Sequence, residues 1–263
     1  MQQVDKLIDN FDEIANDYDS ETNTFHHNIC NYIVEKNLFN ELPKDFKNYK
    51  VLDSGGGTGL WSIKLAEKGF DVTLTDISKN ELEVAKQKIN KLGLNIKIVE
   101  CNSEKTPFKN EEFDIILLCG GVISYTPNPD ILLNECNRLL KPNGLLWFDF
   151  LNSLGWAIEN QNDLSKIDLA LANEKLIQMS DWKYPARTFS LDMIEKYLKL
   201  SNFKLISKYG LILLTNSLSL TKRYSKNYDE KLFEKYKEIE FELSKKQDCI
   251  GSSWSCCISA IKK

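Results

Sequence analysis

The sequence predicts an α/β fold built on a doubly wound, mostly parallel sheet, and two observations lead to it. From Lys50 onward, short apolar runs alternate with segments of helical periodicity as far as Phe150. The first of these runs leads directly into a glycine-rich turn, Gly55-Gly56-Gly57-Thr58-Gly59. Alternating strands and helices favour parallel β-α-β units, because each helix carries the chain back across the sheet. We therefore expect the strands of this region to share one sheet with helices on both faces.

Residues 1–40 precede the sheet and have the pattern of two helices. Apolar residues recur at helical spacing between positions 7 and 15, and Tyr18 follows shortly after them. A second helical stretch runs from about residue 25 to residue 39. The residues expected on its buried face are Ile29, Ile33 and Leu38.

The strands of the alternating region are short, and the fourth is apolar at almost every position, which indicates burial on both faces. Ser78 and Glu81 have the spacing of a capping box, which predicts a helix that begins at Ser78 and stops at Gly93. Leu60 is expected to face inward from the helix that follows the glycine turn. The predicted strands are 51–52, 72–75, 96–99, 113–118 and 145–150, and the predicted helices are 60–68, 78–92 and 129–140.

Residues 151–189 interrupt the alternation, and we interpret them as a helical cap over the substrate. After them come a predicted helix over 190–200 and a predicted strand over 203–209. Residues 253–261 have the pattern of a closing strand, and residues 229–246 that of an amphipathic helix. The expected buried face of this last helix consists of Leu232, Phe233, Tyr236, Ile239 and Leu243.

The composition is that of a single domain spanning residues 1–263. The chain is 42% hydrophobic and has a formal net charge of -4 at pH 7, which gives no reason to expect general binding to nucleic acids. No apolar stretch approaches the ~20 residues of a membrane span, and the polar start is unlike a signal peptide. We therefore expect a cytoplasmic protein with no membrane partner. The seven cysteines include no CxxC pair and the two histidines are adjacent, so we expect free thiols and no metal site.

The glycine turn and its flanking acids predict a nucleotide-type cofactor site. Asp53 ends the first strand, and Asp76 ends the second strand 17 residues after Gly59. A dehydrogenase fingerprint requires the pattern GxGxxG, but Leu60 stands where its third glycine belongs. A carboxylate at Asp53 would also repel a pyrophosphate. A cationic cofactor without phosphates, such as S-adenosylmethionine, suits this distribution of charge better.

Together with five further segments, the turn resembles the class I S-adenosylmethionine-dependent methyltransferases. Each segment alone is common, but their order and spacing are specific. The resemblance implies a Rossmann-like, seven-stranded sheet, mostly parallel with an antiparallel C-terminal hairpin, and S-adenosyl-L-methionine as the cofactor. The matching segments are residues 11–19, 51–59, 76–77, 101–104, 113–120 and 139–144.

The resemblance also implies the cofactor contacts. Asp76 corresponds to the acid that accepts both ribose hydroxyls, and Ile77 would lie against the adenine. Asn102 stands in the loop that borders the adenine, and the end of the fourth strand would face the methionine part. The N-terminal helices would fold over the cofactor. The expected contacts are Tyr18, Asp53, Gly55, Gly56, Gly57, Asp76, Ile77, Asn102, Ser103, Cys119 and Gly120.

The sequence says less about the residues that would bind the methyl acceptor. Methyl transfer to a carboxylate or a neutral amine needs little acid–base chemistry, so no catalytic pair of residues has to be present. His27 is the candidate base, with a solvent-exposed or structural histidine as the alternative. Tyr125 is a candidate for orienting the acceptor, with a packed loop aromatic as the alternative. Tyr184 and Arg187 are candidate substrate contacts in the predicted cap, and a surface salt bridge is the alternative role for Arg187. Residues 221–228 interleave basic and aromatic side chains; we interpret them as a solvated loop, with binding to a phosphate backbone as the alternative.

We expect the acceptor to be a small molecule or a peptide-type compound, methylated at oxygen or nitrogen. The alternative is tRNA, because residues 52–57, 184–187 and 210–262 are similar to enzymes that methylate the carboxylate of a modified wobble uridine. Those enzymes have an arginine in the second N-terminal helix, whereas residues 24–40 contain none here. A third hypothesis is a module that binds S-adenosylmethionine without catalysis.

Overall fold

The computed structural model describes residues 2–44, 49–171, 176–177 and 185–263. Its strands are β1 (Lys50–Ser54), β2 (Asp71–Asp76), β3 (Lys97–Glu100), β4 (Phe113–Leu118), β5 (Leu140–Leu151), β6 (Leu176–Ile177), β7 (Ala186–Arg187), β8 (Phe203–Leu211) and β9 (Ser255–Lys262). Its α-helices are α1 (Gln2–Ile14), α2 (Tyr18–Glu21), α3 (Phe25–Glu41), α4 (Leu60–Glu67), α5 (Lys79–Leu92), α6 (Val122–Tyr125), α7 (Pro129–Leu139), α8 (Ser153–Glu159), α9 (Leu164–Leu171), α10 (Leu191–Leu200), α11 (Leu220–Arg223), α12 (Glu230–Ser244) and α13 (Gln247–Ile250).

Seven of these strands form one sheet in the order β3-β2-β1-β4-β5-β9-β8. The pairs among the first five strands are parallel, whereas β9 runs antiparallel to both of its neighbours, β5 and β8. The order reverses between β1 and β4, which creates a crevice at the carboxyl ends of these strands, where ligands bind in folds of this kind. The predicted seven-stranded sheet with its antiparallel hairpin is confirmed.

The centre of the sheet is buried on both faces, and β4 shows why its sequence is apolar at almost every position. Ile115 and Leu117 face the layer that contains α3, α4 and α5. Ile116 and Leu118 face the opposite layer, with α7 and α10. Because successive side chains of a strand point to opposite faces, a strand between two helical layers is apolar at every position.

The predicted cap of α5 is half formed. The Ser78 hydroxyl accepts a hydrogen bond from the backbone N–H of Glu81 at 3.1 Å, and Gly93 ends the helix with a φ of 66°. A complete capping box would return the Glu81 carboxyl to the Ser78 N–H. That N–H instead donates to Asp76 at 2.8 Å, and Glu81 turns toward Gly57. The sequence therefore predicted the start of the helix correctly, but the Glu81 carboxyl does not take part in the cap.

Two predicted helix faces need correction. Leu60, at the start of α4, is exposed, whereas the helix buries Trp61, Ser62 and Leu65. Leu232 and Ile239 of α12 are also exposed. The helix packs against Phe25 of α3 through Phe233 and Tyr236, in edge-to-face contacts with ring centroids 5.9 and 5.7 Å apart.

The region predicted as a cap contains α8 and α9, together with the short antiparallel pair β6 and β7. Tyr184 lies outside the described residues. Within the described residues, no helix is both long enough and apolar enough to cross a membrane.

Candidate functional site

A cavity of about 1240 Å³ lies at the carboxyl ends of the central strands. Its walls come from the glycine turn, the ends of β2, β4 and β5, the N-terminal helices, α8 and the segment around α11. A typical small-molecule site occupies roughly 300–1,000 Å³. The cavity therefore has space for more than one ligand-sized group.

The glycine turn is fixed by hydrogen bonds and by close packing. The N–H groups of Gly55 and Gly56 both donate to the carbonyl of Thr75, at 2.8 and 3.0 Å, which holds the turn to the end of β2. Gly55 and Gly57 have φ angles of 72° and 53°, in the region that favours glycine. A Cβ atom on Gly56 would lie 2.5 Å from Leu74 and 2.6 Å from Asp53. The turn therefore requires glycine for its own packing.

Asp76 faces the cavity from the end of β2. Its carboxylate accepts hydrogen bonds from the N–H groups of Gly57 at 2.9 Å and Ser78 at 2.8 Å. Burial raises its pKa above the usual value, while these backbone donors oppose the shift. Each carboxylate oxygen retains a further lone pair, so Asp76 can still accept hydroxyl groups from a ligand.

Asp53 lies under the glycine turn and does not line the cavity. Its Oδ2 atom accepts a hydrogen bond from Ser62 at 2.6 Å, and its buried Oδ1 atom has no partner among the described residues. Burial raises the pKa of Asp53 to about 6, which still leaves the group mostly ionised at neutral pH. The predicted contact of Asp53 with the cofactor is therefore not direct, because the glycine turn lies between its carboxylate and the cavity.

The other predicted cofactor residues all line the cavity. Two of them are held by hydrogen bonds: the Ser103 hydroxyl accepts one from the Ser54 hydroxyl at 2.8 Å, and the Asn102 side chain accepts one from the Glu104 N–H at 2.8 Å. Gly120 has a φ of 90°, and a Cβ atom there would meet nothing within 4 Å. The cavity-lining members of the predicted set are Tyr18, Gly55, Gly56, Gly57, Asp76, Ile77, Asn102, Ser103, Cys119 and Gly120.

Asp149 is a cavity residue that the sequence prediction missed. It stands near the end of β5 between two fully buried residues, Phe148 and Phe150, and accepts the N–H of Gly120 at 2.7 Å. Burial raises its pKa to about 6. An acid in an otherwise apolar strand, near the carboxyl end where ligands bind in folds of this kind, was the sequence signal that could have identified it.

The candidate base His27 does line the cavity, but its surroundings make it a weak base. Burial and the nearby Arg223 cation lower its pKa to about 4. Its Nδ1 atom shares a hydrogen bond of 2.8 Å with the Thr24 hydroxyl. His27 is therefore neutral at pH 7 and suited to hydrogen bonding rather than to proton removal.

Tyr125 also lines the cavity, from α6. Its ring packs edge-to-face on Phe11 of α1, with ring centroids 5.8 Å apart. Burial raises the pKa of the Tyr125 hydroxyl far above its usual value, with the Asp149 charge as a second cause. The predicted substrate contact Arg187, in contrast, does not line the cavity; its guanidinium approaches the carbonyl of Pro127 at 3.4 Å.

A buried ion pair forms the far wall of the cavity. Arg223 is 1% exposed and donates to Glu159 at 2.7 Å, while the indole N–H of Trp254 donates to the other oxygen of Glu159 at 2.7 Å. The Nε atom of Arg223 is buried and has no partner among the described residues. Arg223, Tyr224 and Lys226 line the cavity, so the interpretation of residues 221–228 as a solvated loop is wrong at Arg223.

The cavity fits a cationic methyl donor at its glycine-turn end. The carboxylates of Asp76 and the underlying Asp53 meet there, and Asp149 lies beside Gly120. The carboxyl of Glu81 lies beside Gly57, but burial raises its pKa to about 8, so the negative charge at this end comes from the other three acids. Among the described residues, the Lys and Arg side chains on the cavity wall are Lys166, Arg223 and Lys226, of which Arg223 is paired with Glu159 and Lys226 with Glu21. A surplus of buried acid at this end favours a positively charged ligand over one that carries phosphates.

Comparison with known proteins agrees with this geometry. A family model described as a methyltransferase domain matches residues 51–144. A ubiquinone biosynthesis O-methyltransferase from Histophilus somni is 30% identical over 194 residues, which cover 68% of this chain and 75% of that protein. A ubiquinone/menaquinone biosynthesis C-methyltransferase from Shewanella sp. is 40% identical over 103 residues, covering 37% of this chain and 40% of that protein.

The fold recurs in solved structures. One from Thermotoga maritima, described as an S-adenosylmethionine-dependent methyltransferase and a possible histamine N-methyltransferase, matches with a TM-score of 0.62 at 17% identity. The match covers 97% of this chain and 99% of that one. At this identity the likeness shows the fold alone.

Proposed function

Because this chain belongs to the class I S-adenosylmethionine-dependent methyltransferases, we propose that it methylates a small-molecule or peptide-type acceptor, at oxygen or nitrogen, inside the cavity. Family membership makes the chain an enzyme with S-adenosylmethionine as its cofactor, which sets aside the hypothesis of a binding module without catalysis. What we propose here is the chemical class of the methyl acceptor.

The observation that carries the proposal is a single cavity with two chemically different ends. The glycine-turn end holds the predicted cofactor residues, and the far end holds His27, Tyr224, Trp254 and the Arg223–Glu159 pair. Aromatic walls with a few fixed polar groups are typical of sites for small molecules. The names of the relatives, which refer to ubiquinone biosynthesis, also support an acceptor of small size.

The residues of the chain supply positioning and charge. Bound S-adenosylmethionine supplies an electrophilic methyl group at its sulfonium. The acid-rich turn stabilises the cationic donor, and the aromatic and polar groups of the far end hold the acceptor in line, which can account for roughly 7–11 kcal/mol of the barrier. Where the acceptor is a hydroxyl, Asp149 is the better candidate base than His27, because its pKa of about 6 lies closer to neutral pH.

The acceptor class is tested by transfer of labelled methyl groups from S-adenosylmethionine. The purified protein is incubated with a metabolite extract in one reaction and with bulk tRNA in another, after binding of S-adenosylhomocysteine has been verified by calorimetry. We expect label in compounds of the extract and none in tRNA. Label confined to tRNA would overturn the proposed acceptor class.

A second candidate, methylation of a tRNA wobble-uridine carboxylate, is favoured by one observation. Arg223 lines the cavity, its Nε atom is buried with no partner among the described residues, and a guanidinium is the group that best binds a carboxylate. The formal net charge of -4 weighs against a large RNA surface. The tRNA reaction above separates the two candidates.

A further inference from the structure

We infer that Glu81 is a second carboxyl group of the donor site, which binds the ribose of S-adenosylmethionine as a neutral acid beside the ionised Asp76. The spacing of Ser78 and Glu81 predicts only a capping role for Glu81, whereas in the structure its carboxyl takes no part in the helix cap. The inference concerns the donor alone, so its failure would leave the proposed acceptor class unaffected.

Gly57 brings the two carboxyl groups together. Its backbone N–H donates to Asp76 at 2.9 Å, and a Cβ atom built on it would lie 2.5 Å from the Oε2 atom of Glu81. Both acids line the cavity beside Tyr18 and Ile77. Glu81 therefore lies next to the position where Asp76 is expected to hold the ribose.

The two acids differ in how well they are stabilised as anions. Asp76 accepts two backbone N–H groups, whereas the Oε1 atom of Glu81 is buried with no partner among the described residues. Glu81 is only 4% exposed. When two carboxyl groups share a site, the proton stays on the one with fewer donors. The proton therefore belongs to Glu81.

The charged surroundings of Glu81 reinforce this assignment. Acids face it from three elements, Asp76 on β2, Asp19 on α2 and Asp12 on α1, and burial together with these charges raises its pKa to about 8. Among the described residues, the cation that opposes this shift is Lys88 on α5, which is already bound to Asp19 at 2.6 Å. Burial raises the pKa of the Tyr18 hydroxyl far above its usual value, so this cavity neighbour of Glu81 is neutral at any physiological pH.

A neutral acid complements the ribose in a way that Asp76 cannot. An ionised carboxylate only accepts hydrogen bonds, whereas a ribose diol has oxygen lone pairs as well as O–H donors. The protonated carboxyl of Glu81 supplies the missing donor. Binding of the ribose then requires the proton on Glu81 and weakens as the pH rises through the pKa of that group.

The experiment measures binding of 5′-methylthioadenosine by calorimetry between pH 7 and pH 9. This probe has the ribose and the adenine but lacks the amino group that titrates in S-adenosylhomocysteine. We expect its dissociation constant for the wild type to rise about tenfold over this range, with uptake of about half a proton per site at pH 8. Two buffers of different ionisation enthalpy give the proton count.

Two variants complete the test. Glu81→Gln keeps the shape and the N–H donor but cannot titrate, so its affinity should be independent of pH and its binding should take up no proton. Glu83→Gln, an exposed position on the same helix, should behave like the wild type. A wild type with no pH dependence and no proton uptake would overturn the inference, as would equal pH dependence in the wild type and Glu81→Gln.

Discussion

Asp12 accepts a hydrogen bond of 2.6 Å from the hydroxyl of Ser78, which ties the N-terminal helix to the first turn of α5. The same carboxylate accepts the N–H of Asn80 at 3.1 Å. A second contact joins α2 to the glycine turn, because the Thr58 hydroxyl donates to Asp19 at 2.6 Å. The helices that cover the donor site are thus bonded to the elements that form it.

Asp12→Ala should therefore speed the release of S-adenosylhomocysteine. Loss of these bonds at about 1 kcal/mol each predicts a dissociation rate roughly 5–30 times higher. Stopped-flow measurement of release gives the rate directly. Asp9→Ala, at an exposed position of the same helix, is the control. Equal rates for the two variants would show that the Asp12 contact does not hold the helix over the donor.

Breaking the Arg223–Glu159 pair should destabilise the fold. Arg223→Met leaves the Glu159 carboxylate without its cation in a buried site, which predicts a loss of about 3–5 kcal/mol in the free energy of unfolding. The double variant with Glu159→Gln should lose much less than the sum of the single variants. Lys245→Met, which breaks the exposed pair with Glu242, should cost under about 1 kcal/mol in the same urea titration. Additive losses in the double variant would contradict the pairing.

His27 predicts a pH dependence of stability with a defined sign. Its pKa falls from 6.5 to about 4 on folding, so the unfolded chain binds more protons in this range. Stability is then retained above pH 6.5 and lost as the pH falls toward 4, by about 2 kcal/mol at pH 5. Urea titrations at pH 7 and pH 5 should show a smaller loss for His27→Gln than for the wild type. Identical losses would place the pKa of His27 near its ordinary value.

Asp53 should discriminate between the charged donor and its neutral product. Asp53 lies under the turn, so we expect it to act on the ligand through its charge. Asp53→Asn should therefore weaken the binding of S-adenosylmethionine by about 1 kcal/mol more than the binding of S-adenosylhomocysteine. Calorimetric titration with each ligand at pH 8, where Asp53 is fully ionised, measures the difference. An equal effect on both ligands would indicate a role in packing the turn.

Local signals in the sequence predicted the fold and the donor end of the site. The glycine turn, the Ser78 cap and the apolar β4 strand each depend on neighbouring residues, and each is found where it was expected. Ten of the expected cofactor contacts line one cavity. Their roles in binding stay predictions.

The acceptor end depends on contacts that no local pattern encodes. In the sequence Arg223 is one basic residue in a polar segment. Its role in a buried ion pair could not be recognised, because its partner Glu159 lies 64 residues earlier in the chain. Asp149 and Glu81 acquire their significance from burial and from neighbours on other elements. The exposure of Leu232 and Ile239 likewise depends on which face of α12 packs against Phe25 of α3.

The most direct test of the donor site is calorimetric titration of S-adenosylhomocysteine into the wild type, Asp76→Ala and Asp71→Ala. Asp71 begins the same strand at an exposed position and serves as the matched control. We expect one site per chain in the wild type, unchanged affinity in Asp71→Ala, and affinity weaker by about 1.5–3 kcal/mol in Asp76→Ala, through loss of charge-assisted hydrogen bonds to the ribose. Absence of binding to the wild type, or an unchanged affinity in Asp76→Ala, would contradict the donor site assigned to this cavity.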